Sequence, residues 1–245
     1  MRFFALIPAR AGSKRIKDKN LCKVGSLSLI ANAVHACANC LDIAKTYIVS
    51  DCPVCTQEGV DHGAFSLGLR PPEISHELSP DRDWIYWFLS RLDSCCKINR
   101  DDYYVVVRAT SPFRTSVTIS NAIQHFKANC TDNFTSLRSV KPVSEHPGKM
   151  WVFRDSSRMV RLLPFDSSDG TPWCDSQNTM LPSIFVQNAS LEISNIRSML
   201  DVPSFPTSGY STIPFMMSEL ESIDINLPLD LELARIIYEK QFASG

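Results

Sequence analysis

A cation-rich segment near the start of the chain, "ARAGSKRIKDKN", is the part of the sequence most able to bind an anion. It contains five Lys or Arg beside a single Gly, and it directly follows an apolar run at residues 3 to 8. Many phosphate sites begin with a strand, then small residues, then cations. The segment has neither GxxxxGK[ST] nor GxGxxG, so it is neither a Walker loop nor a dinucleotide-binding loop.

The cations of this segment predict a polyphosphate site built from side chains. The small residues keep the backbone approachable and the cations supply the charge; they are Ala9, Ala11, Gly12 and Ser13, and Arg10, Lys14 and Lys19. Arg15 and Lys17 are expected to be solvent charges. The alternative for the whole segment is a solvated basic loop.

Polar residues also follow the other predicted strands. In an open parallel sheet, ligands bind outside the carboxyl ends of the strands. Besides the opening loop, the segments there are Asp51, Arg70, residues 108 to 114, and Asp224 with Asn226. The earlier segments offer cations or short polar side chains for phosphate, and the last offers a carboxylate for a divalent ion. Together they predict a nucleotide crevice.

Alternating strands and helices are predicted to position these segments. Apolar runs and helical periods predict strands at 3–8, 46–50, 64–69 and 103–107, and helices at 26–41 and 53–62 and from Pro80 and Ser116. This alternation favours a three-layer α/β sheet with right-handed crossovers. The sheet resumes at 184–193, and the chain closes with a strand near 222–226, a turn at Pro228 and an amphipathic helix.

Residues 140 to 185 interrupt that pattern. They hold five prolines and two short strand-like runs, at 151–154 and 159–163. We expect an inserted subdomain here, within a single domain that spans residues 1–245.

Composition limits the function classes. With 245 residues and 44% hydrophobic residues, the chain can bury one full core. Its 25 Lys plus Arg balance 26 Asp plus Glu, which argues against a nucleic-acid binder. No apolar stretch approaches the roughly 20 residues that span a bilayer. We expect a cytoplasmic protein without a membrane partner, whose nine Cys are reduced thiols.

Two CxxC pairs, "CANC" and "CPVC", have a spacing that could bind zinc. The predicted strand at 46–50 separates them, so Cys40 and Cys52 should lie at opposite ends of the sheet layer. Five strand residues span about 15 Å, too far for a shared metal. Ordinary thiols are therefore favoured over a zinc site.

Six motifs taken in order resemble the cytidylyltransferases that activate N-acylneuraminate and related nonulosonic acids. They are "IPARAGSKRIKDKN", "LRPPEI", "RATSPFRT", "HPGKMW", "LPSIFVQNASLEI" and "SIDINLPLDLELA", and they span nearly the whole chain. The resemblance implies a three-layer Rossmann-like nucleotide-diphospho-sugar transferase fold with a small inserted dimerisation subdomain. It also implies a homodimer, in which that subdomain helps to close the partner's sugar site.

The resemblance implies a role for individual positions. It assigns CTP to Arg10, Ser13, Lys14, Lys19, Asn20 and Arg70. It assigns the acceptor sugar to Arg108, Thr110, Ser111, Lys149 and Asn188. Arg10, Lys19 and Asp224 would carry catalysis, with Asp224 binding Mg²⁺. Arg108 could also pair with the sugar carboxylate, because a planar guanidinium binds a carboxylate through two hydrogen bonds.

Asn226 departs from the family pattern, which we expect to carry a second Asp there. An amide oxygen would weaken magnesium binding unless CTP phosphates supply the missing charge. Asn226 could instead be an N-cap beside Pro228.

Several other positions keep an ordinary structural alternative. Ser111 could simply turn the chain, and Arg70 and Arg114 could form surface ion pairs. Asn188 could be a strand amide with its hydrogen bonds satisfied, and Lys149 could be a solvated side chain.

The implied reaction joins CTP to the anomeric hydroxyl of a nonulosonic acid and releases pyrophosphate. No general base is evident in the sequence. One alternative is another sugar nucleotidyltransferase, acting on 3-deoxy-octulosonate or a hexose 1-phosphate. The other is a non-catalytic nucleotide- or sugar-binding relative.

Overall fold

The computed structural model describes residues 1–95 and 98–242. Its strands are β1 (Phe3–Pro8), β2 (Lys23–Val24), β3 (Leu27–Ser28), β4 (Ile43–Val49), β5 (Tyr103–Val107), β6 (Thr135–Pro142), β7 (Trp151–Phe153), β8 (Met159–Arg161), β9 (Phe185–Asn195) and β10 (Ser211–Met216). Its α-helices are α1 (Leu29–Ala38), α2 (Pro53–Asp61), α3 (Asp81–Cys95), α4 (Ser116–Asn129), α5 (Ile196–Asp201) and α6 (Pro228–Phe242).

A six-stranded sheet in the order β10-β6-β9-β5-β1-β4 forms the centre of the fold. β1 pairs in parallel with β4 and β5, whereas β9 runs antiparallel to β5. The sheet is therefore mixed, with a parallel core formed by β4, β1 and β5 and an antiparallel β9 beside it.

Helices cover both faces of the sheet, and β1 is accordingly apolar at successive positions. Phe3, Ala5 and Ile7 pack on one side against α1 and α4. Phe4 and Leu6 pack on the other side against α3 and α5. A strand buried on both faces needs a continuous apolar run, and β1 and β5 have one. The predicted three-layer α/β arrangement is confirmed.

The helices begin at residues suited to cap them. The Ser28 side chain accepts a hydrogen bond from the Ala31 N–H at the start of α1, and Thr115 and Thr118 form a capping box on α4. Helix α1 starts three residues later than the 26–41 prediction, since Leu27–Ser28 pairs with Lys23–Val24 as a small hairpin.

Two predicted strands are not strands in the structure. Within 64–69, Phe65 alone bridges to Tyr47, and Gly68 turns the chain at a φ of 103°. Residues 222–226 form a loop, in which the N–H of buried Ile225 bonds to the carbonyl of Thr110. The alternating Ile residues there pack into the core without a neighbouring strand.

The predictions missed β6, β10 and α5. Strand β6 buries hydroxyl side chains such as Ser136 and Ser139 rather than an apolar run, so its sequence lacks the usual signal. Strand β10 lies at the edge of the sheet and contains Pro214, which is tolerated at an edge.

The chain divides into two compact units. The larger comprises Met1–Ser139 and Asn188–Gly245, and the smaller is Val140–Gln187. The smaller unit contains the β7–β8 hairpin, in which Trp151 pairs with Arg161. Its apolar residues are unusually exposed, Phe153 at 80% and Met159 at 53%.

The two CxxC pairs lie on either side of β4. Cys37 and Cys40 precede the strand, whereas Cys52 and Cys55 follow it at the start of α2. Among residues 1–95 and 98–242, no group of three or more His, Cys, Asp or Glu could hold a metal ion. In the same ranges, every helix is too short or too polar to cross a bilayer.

Candidate functional site

A cleft of about 320 Å³ opens in the larger unit, where the loops after β1 and β5 meet. The sequence-predicted residues that line it are Arg10, Ser13, Lys19, Asn20, Arg70, Arg108, Thr110, Asp224 and Asn226. A second cavity of about 250 Å³ shares Arg10, Ser13, Lys19 and Asn226 and adds Lys14. The structure thus brings together most of the residues proposed from sequence.

The carboxyl end of β4 holds the cation-rich loop in place. The Ala9 N–H bonds to the Val49 carbonyl, and the Ser50 hydroxyl donates to the Ala9 carbonyl. Two residues on, the Ala11 N–H donates to the Asp51 carboxylate at 2.8 Å. Gly12 follows at a φ of 72°, a conformation that favours glycine.

Lys19 points its ammonium into the cleft from a short 3₁₀ turn. The Nζ donates to the carbonyl of Ile225 at 2.8 Å. Burial lowers the pKa of Lys19, with Asp224 opposing the shift and Arg15 and Arg10 adding to it. Because burial disfavours the charged form of Lys19, the negative charge of a bound polyphosphate would stabilise its ammonium.

Arg70 is buried at the base of the same cleft. Its Nε donates to the Ser75 hydroxyl at 3.0 Å, and its Nη2 lies 3.9 Å from the Asp51 carboxylate. Burial lowers the pKa of Arg70, while Asp51 opposes that shift. Arg70 thus makes a buried contact rather than the surface ion pair that was its structural alternative.

Lys14 is paired with an acid that lies outside every motif discussed above. Both oxygens of Glu77 lie within 3 Å of the Lys14 Nζ, at 2.9 and 2.7 Å. The hydrogen bond to Lys14 holds the pKa of Glu77 below its usual range. Glu77 also lines both cavities. A carboxylate therefore lies in the region where the phosphates of a nucleotide are expected to bind.

Arg108 lies at the opposite end of the cleft, and two carboxylates hold it. Its Nη2 bonds to Asp81 and, at 3.0 Å, to Glu192, which also bonds Arg138 at 2.5 Å. Burial works to lower the pKa of Arg108, but Glu192 and Asp81 outweigh it and raise the pKa. The guanidinium of Arg108 is thus already neutralised by protein carboxylates. It offers no unpaired positive charge to the carboxylate of a sugar.

Asp224 and Asn226 lie side by side at the rim of the cleft. The Asn226 amide donates to the Asp224 carboxylate at 2.5 Å. Asp230, not Asn226, accepts the backbone N–H groups of Asn226 and Leu227 near the start of α6. Helix α6 begins at Pro228 and the Asn226 amide bonds to Asp224, so the structure does not show the Asn226 side chain as the cap of that helix.

These two side chains fit a divalent cation of the magnesium type. A carboxylate and an amide oxygen are hard oxygen ligands, and Mg²⁺ is commonly held by one or two carboxylates together with substrate phosphates. The neighbouring Lys19 and Arg10 are suited to those phosphates.

Two predicted sugar-site residues of the larger unit do not line the cleft, and a third belongs to the smaller unit. Ser111 is buried, and its hydroxyl lacks a hydrogen-bond partner within the described part of the chain. Asn188 is a satisfied amide, accepting from Ser139 and donating to Ser222. Lys149 belongs to the smaller unit, where it donates to the Ser176 carbonyl at 2.6 Å.

Arg114 is also buried rather than on the surface. It donates to the carbonyls of Arg108 and Ser190, and burial lowers its pKa to about 10. It therefore braces the loop after β5 against β9.

Sequence reasoning missed most of the acids that organise the cleft. Asp51 had a usable signal, since it directly follows a predicted strand. Glu192 lies within the motif "LPSIFVQNASLEI", but nothing in that motif indicates its partner. Asp81 and Glu77 had no signal, and each of the three acids pairs with a cation more than 25 residues away in sequence.

The sequence model of one protein family, described as Cytidylyltransferase, matches residues 4–147. The N-acylneuraminate cytidylyltransferase of Streptococcus agalactiae is 25% identical over 228 residues, which cover 92% of this chain and 51% of that protein. This chain therefore spans about half the length of that relative. The CMP-N,N'-diacetyllegionaminic acid synthase of Legionella pneumophila is 28% identical over 244 residues, 98% of this chain and 97% of that protein.

Among solved structures, CMP:2-keto-3-deoxy-manno-octonic acid synthetase complexed with CTP has a similar fold. The TM-score is 0.67 with 13% identity, and the match covers 99% of this chain and 100% of the other. At this identity the match shows the fold alone. The Rossmann-like transferase fold implied by the sequence motifs is confirmed.

Proposed function

The chain belongs to the cytidylyltransferase family, and on that premise we propose that it transfers the CMP group of CTP to a nonulosonic, sialic-acid-like sugar. The observation that carries the proposal is the convergence of Arg10, Lys19 and Asp224 on one cleft at the ends of the parallel strands. Ligands of open α/β sheets bind at this edge.

The cations of the loop would hold the triphosphate and stabilise the charge that develops on it. The sugar hydroxyl attacks the α-phosphorus and gives its proton to solvent. The bond between the α-phosphorus and the oxygen shared with the β-phosphate breaks, and pyrophosphate leaves. Such transfers are catalysed mainly by positioning and electrostatic stabilisation. Arg10 and Lys19 supply positive charge, and Arg70 adds more at the base of the cleft.

A divalent cation, which we propose to be Mg²⁺, would be held by Asp224 and Asn226. It would neutralise phosphate charge in the same region as Lys19. The hydrogen bond between Asn226 and Asp224 keeps the two side chains together and orients the carboxylate.

The proposed acceptor is a nonulosonic acid because the relatives from Streptococcus agalactiae and Legionella pneumophila carry names of that kind. Arg108 is proposed to bind it by hydrogen bonds rather than by an unpaired charge, together with Thr110 in the cleft. Ser111 and Asn188 are proposed to position that region from behind, since both are buried. A 3-deoxy-octulosonate acceptor is the alternative, since the solved neighbour carries that name.

We also propose a homodimer that forms through the smaller unit, with Lys149 on the contributed element. The exposed apolar side chains of β7 and β8 are its basis, because contiguous exposed apolar surface marks association sites. A sizing experiment tests it. Phe153→Asp is expected to yield monomer, whereas Leu41→Asp, at an exposed position of the larger unit, should leave the size unchanged.

We propose a cytoplasmic location, in which cysteine thiols are kept reduced.

Pyrophosphate release tests the proposed function. Purified protein is incubated with each NTP, Mg²⁺ and a panel of nonulosonic acids, with 3-deoxy-octulosonate and a hexose 1-phosphate as comparisons. Release with CTP and a nonulosonic acid supports the proposal. Release only with another NTP or with a hexose 1-phosphate assigns a different nucleotidyltransferase. No release with any pair favours a binding protein.

A further inference from the structure

The "CPVC" motif lines neither cavity of the site, but it directly follows Ser50 and Asp51, which bond to the cation-rich loop, called here the nucleotide loop. Cys52 caps the start of α2, where its sulfur accepts a hydrogen bond from the Cys55 N–H at 3.5 Å. Burial raises the pKa of Cys55 to about 12, and hydrogen bonding with Cys52 adds to that shift. This cap bond holds the two cysteines next to each other at the first turn of α2.

The accessibility of the two sulfurs differs. Cys52 is partly exposed, whereas Cys55 is buried. An incoming reagent can therefore reach Cys52, and Cys55 lies behind it as the second thiol. This division between an attacking and a resolving sulfur is what dithiol exchange requires.

The other CxxC pair of the chain provides an internal contrast. Cys37 and Cys40 have the same spacing but are 1% and 3% exposed. They lie at the end of α1 rather than at the start of a helix. Neither sulfur of that pair is open to a reagent, so spacing alone does not make a reactive dithiol.

We propose that Cys52 and Cys55 form a redox-active dithiol that closes to a disulfide and thereby weakens nucleotide binding. The Cys52 thiolate attacks one sulfur of a small-molecule disulfide and expels one thiolate. The expelled thiolate takes the proton of Cys55, the Cys55 sulfur attacks the Cys52 sulfur, and the second small thiolate leaves and is protonated by solvent. One external disulfide is reduced to two thiols while the protein dithiol is oxidised. Transient disulfides of this kind occur in cytosolic proteins.

The link to the nucleotide loop runs through the residue before Cys52. Asp51 holds the Ala11 N–H and faces Arg70. The Cys52 N–H is itself bonded to the Ser50 hydroxyl at 3.0 Å, which donates to the Ala9 carbonyl. Replacing a thiol contact with an S–S bond of about 2.0 Å draws Cys52 toward α2. The Asp51 carboxylate is then pulled from the loop.

Peptide mapping tests the dithiol without reference to activity. The full chain is treated with oxidised glutathione and analysed by mass spectrometry before and after reduction. Wild type and Cys37→Ser are expected to give a peptide linked between Cys52 and Cys55. Cys55→Ser should instead retain glutathione on Cys52, because the resolving thiol is gone. Absence of the linked peptide in wild type overturns the proposal, as does equal linkage of Cys37 to Cys40.

The coupling to the nucleotide rests on the proposed function and has its own readout. Oxidised wild type is expected to show a threefold to tenfold higher KM for CTP, restored by dithiothreitol and absent in Cys52→Ser. An unchanged KM in fully linked protein overturns the coupling. If reduced wild type releases no pyrophosphate with any substrate, the proposed function fails, while peptide mapping still decides the dithiol.

Discussion

The cations at the two ends of the cleft differ in whether protein carboxylates neutralise them. At the loop end, Lys14 bonds to an exposed carboxylate and Lys19 to a backbone carbonyl. At the Arg108 end, Asp81 and Glu192 neutralise Arg108, and Glu192 also binds Arg138. The loop end therefore presents charge to a ligand, whereas the Arg108 end uses charge to hold the protein together.

Burial explains the difference. Glu192 and Arg138 have side chains 4% and 8% exposed, so a missing partner would leave a charge in a low-dielectric interior. Lys14 and Glu77 are 75% and 49% exposed, and water can replace either partner. Two clusters of similar composition thus have different consequences when they are broken.

The largest effect is expected from Glu192→Gln at the Arg108 end. Removing this charge leaves Arg108 and Arg138 without their shared buried partner, which costs about 3–5 kcal/mol of unfolding free energy. Denaturant unfolding measures it. The matched control is Asp101→Asn, which breaks an exposed pair with Arg197 and should leave the midpoint unchanged. Equal loss in both variants would remove the distinction between the two ends.

At the loop end, Lys19→Ala is expected to lower activity at least about 100-fold with little change in stability. The ammonium is a partly buried donor directed at the phosphate region, so its loss affects the reaction more than the fold. Lys17→Ala, an exposed cation of the same segment that lines neither cavity, is the control. Near-normal turnover of Lys19→Ala would contradict the assignment.

The lowered pKa of Lys19 gives a pH prediction. The ammonium is charged below its folded-state pKa and loses its charge as the pH rises through that value. Burial holds this pKa below the ordinary value of about 10.4, so the fall in kcat/KM for CTP should begin at a lower pH than it would for an exposed Lys. Above the pKa, kcat/KM should decrease by about tenfold per pH unit. Lys19→Arg should abolish that alkaline fall. A fall that persists in this variant assigns the titration to another group.

A smaller change in the opposite direction is expected from Glu77→Gln. Removing a carboxylate that competes with phosphates for Lys14 should lower the KM for CTP by about threefold, within the range of an exposed pair. Steady-state kinetics at low salt measures the change, and Glu73→Gln, an exposed acid of the same segment, is the control. A higher KM would show that Glu77 assists nucleotide binding instead.

The smallest effect is expected from Asn226→Asp. A second carboxylate beside Asp224 should lower the Mg²⁺ concentration needed for half-maximal activity and leave kcat within about twofold. A magnesium titration at saturating CTP provides the measurement. Loss of turnover in a folded Asn226→Asp protein would show that Asn226 does more than replace a ligand.

Local sequence was sufficient for much of the fold. The continuous apolar runs of β1 and β5 and the capped starts of α1 and α4 are properties of neighbouring residues, so strands and helices could be placed from them. Strand β6 could not be found in this way, since its buried Ser136 and Ser139 are satisfied by distant carbonyl and amide groups. The loop at 222–226 has the alternation of a strand but no partner strand.

The residue types that reach the cleft follow from the order of amino acids alone. Strand ends converge in an α/β sheet, so the strand pattern was enough to place the loops of Arg10 and Arg108 together, whereas Asp224 reaches the cleft from a loop in which the Ile225 N–H bonds to the Thr110 carbonyl. Which of the cations remain available to a ligand depends instead on the folded chain. Arg108 and Lys19 are both cations that follow predicted strands, but of the two it is Arg108 that bonds to Asp81 and Glu192, from positions 27 and 84 residues away. Whether a cation is available to a ligand depends on its burial and on the charges beside it, and both are set only when the chain folds.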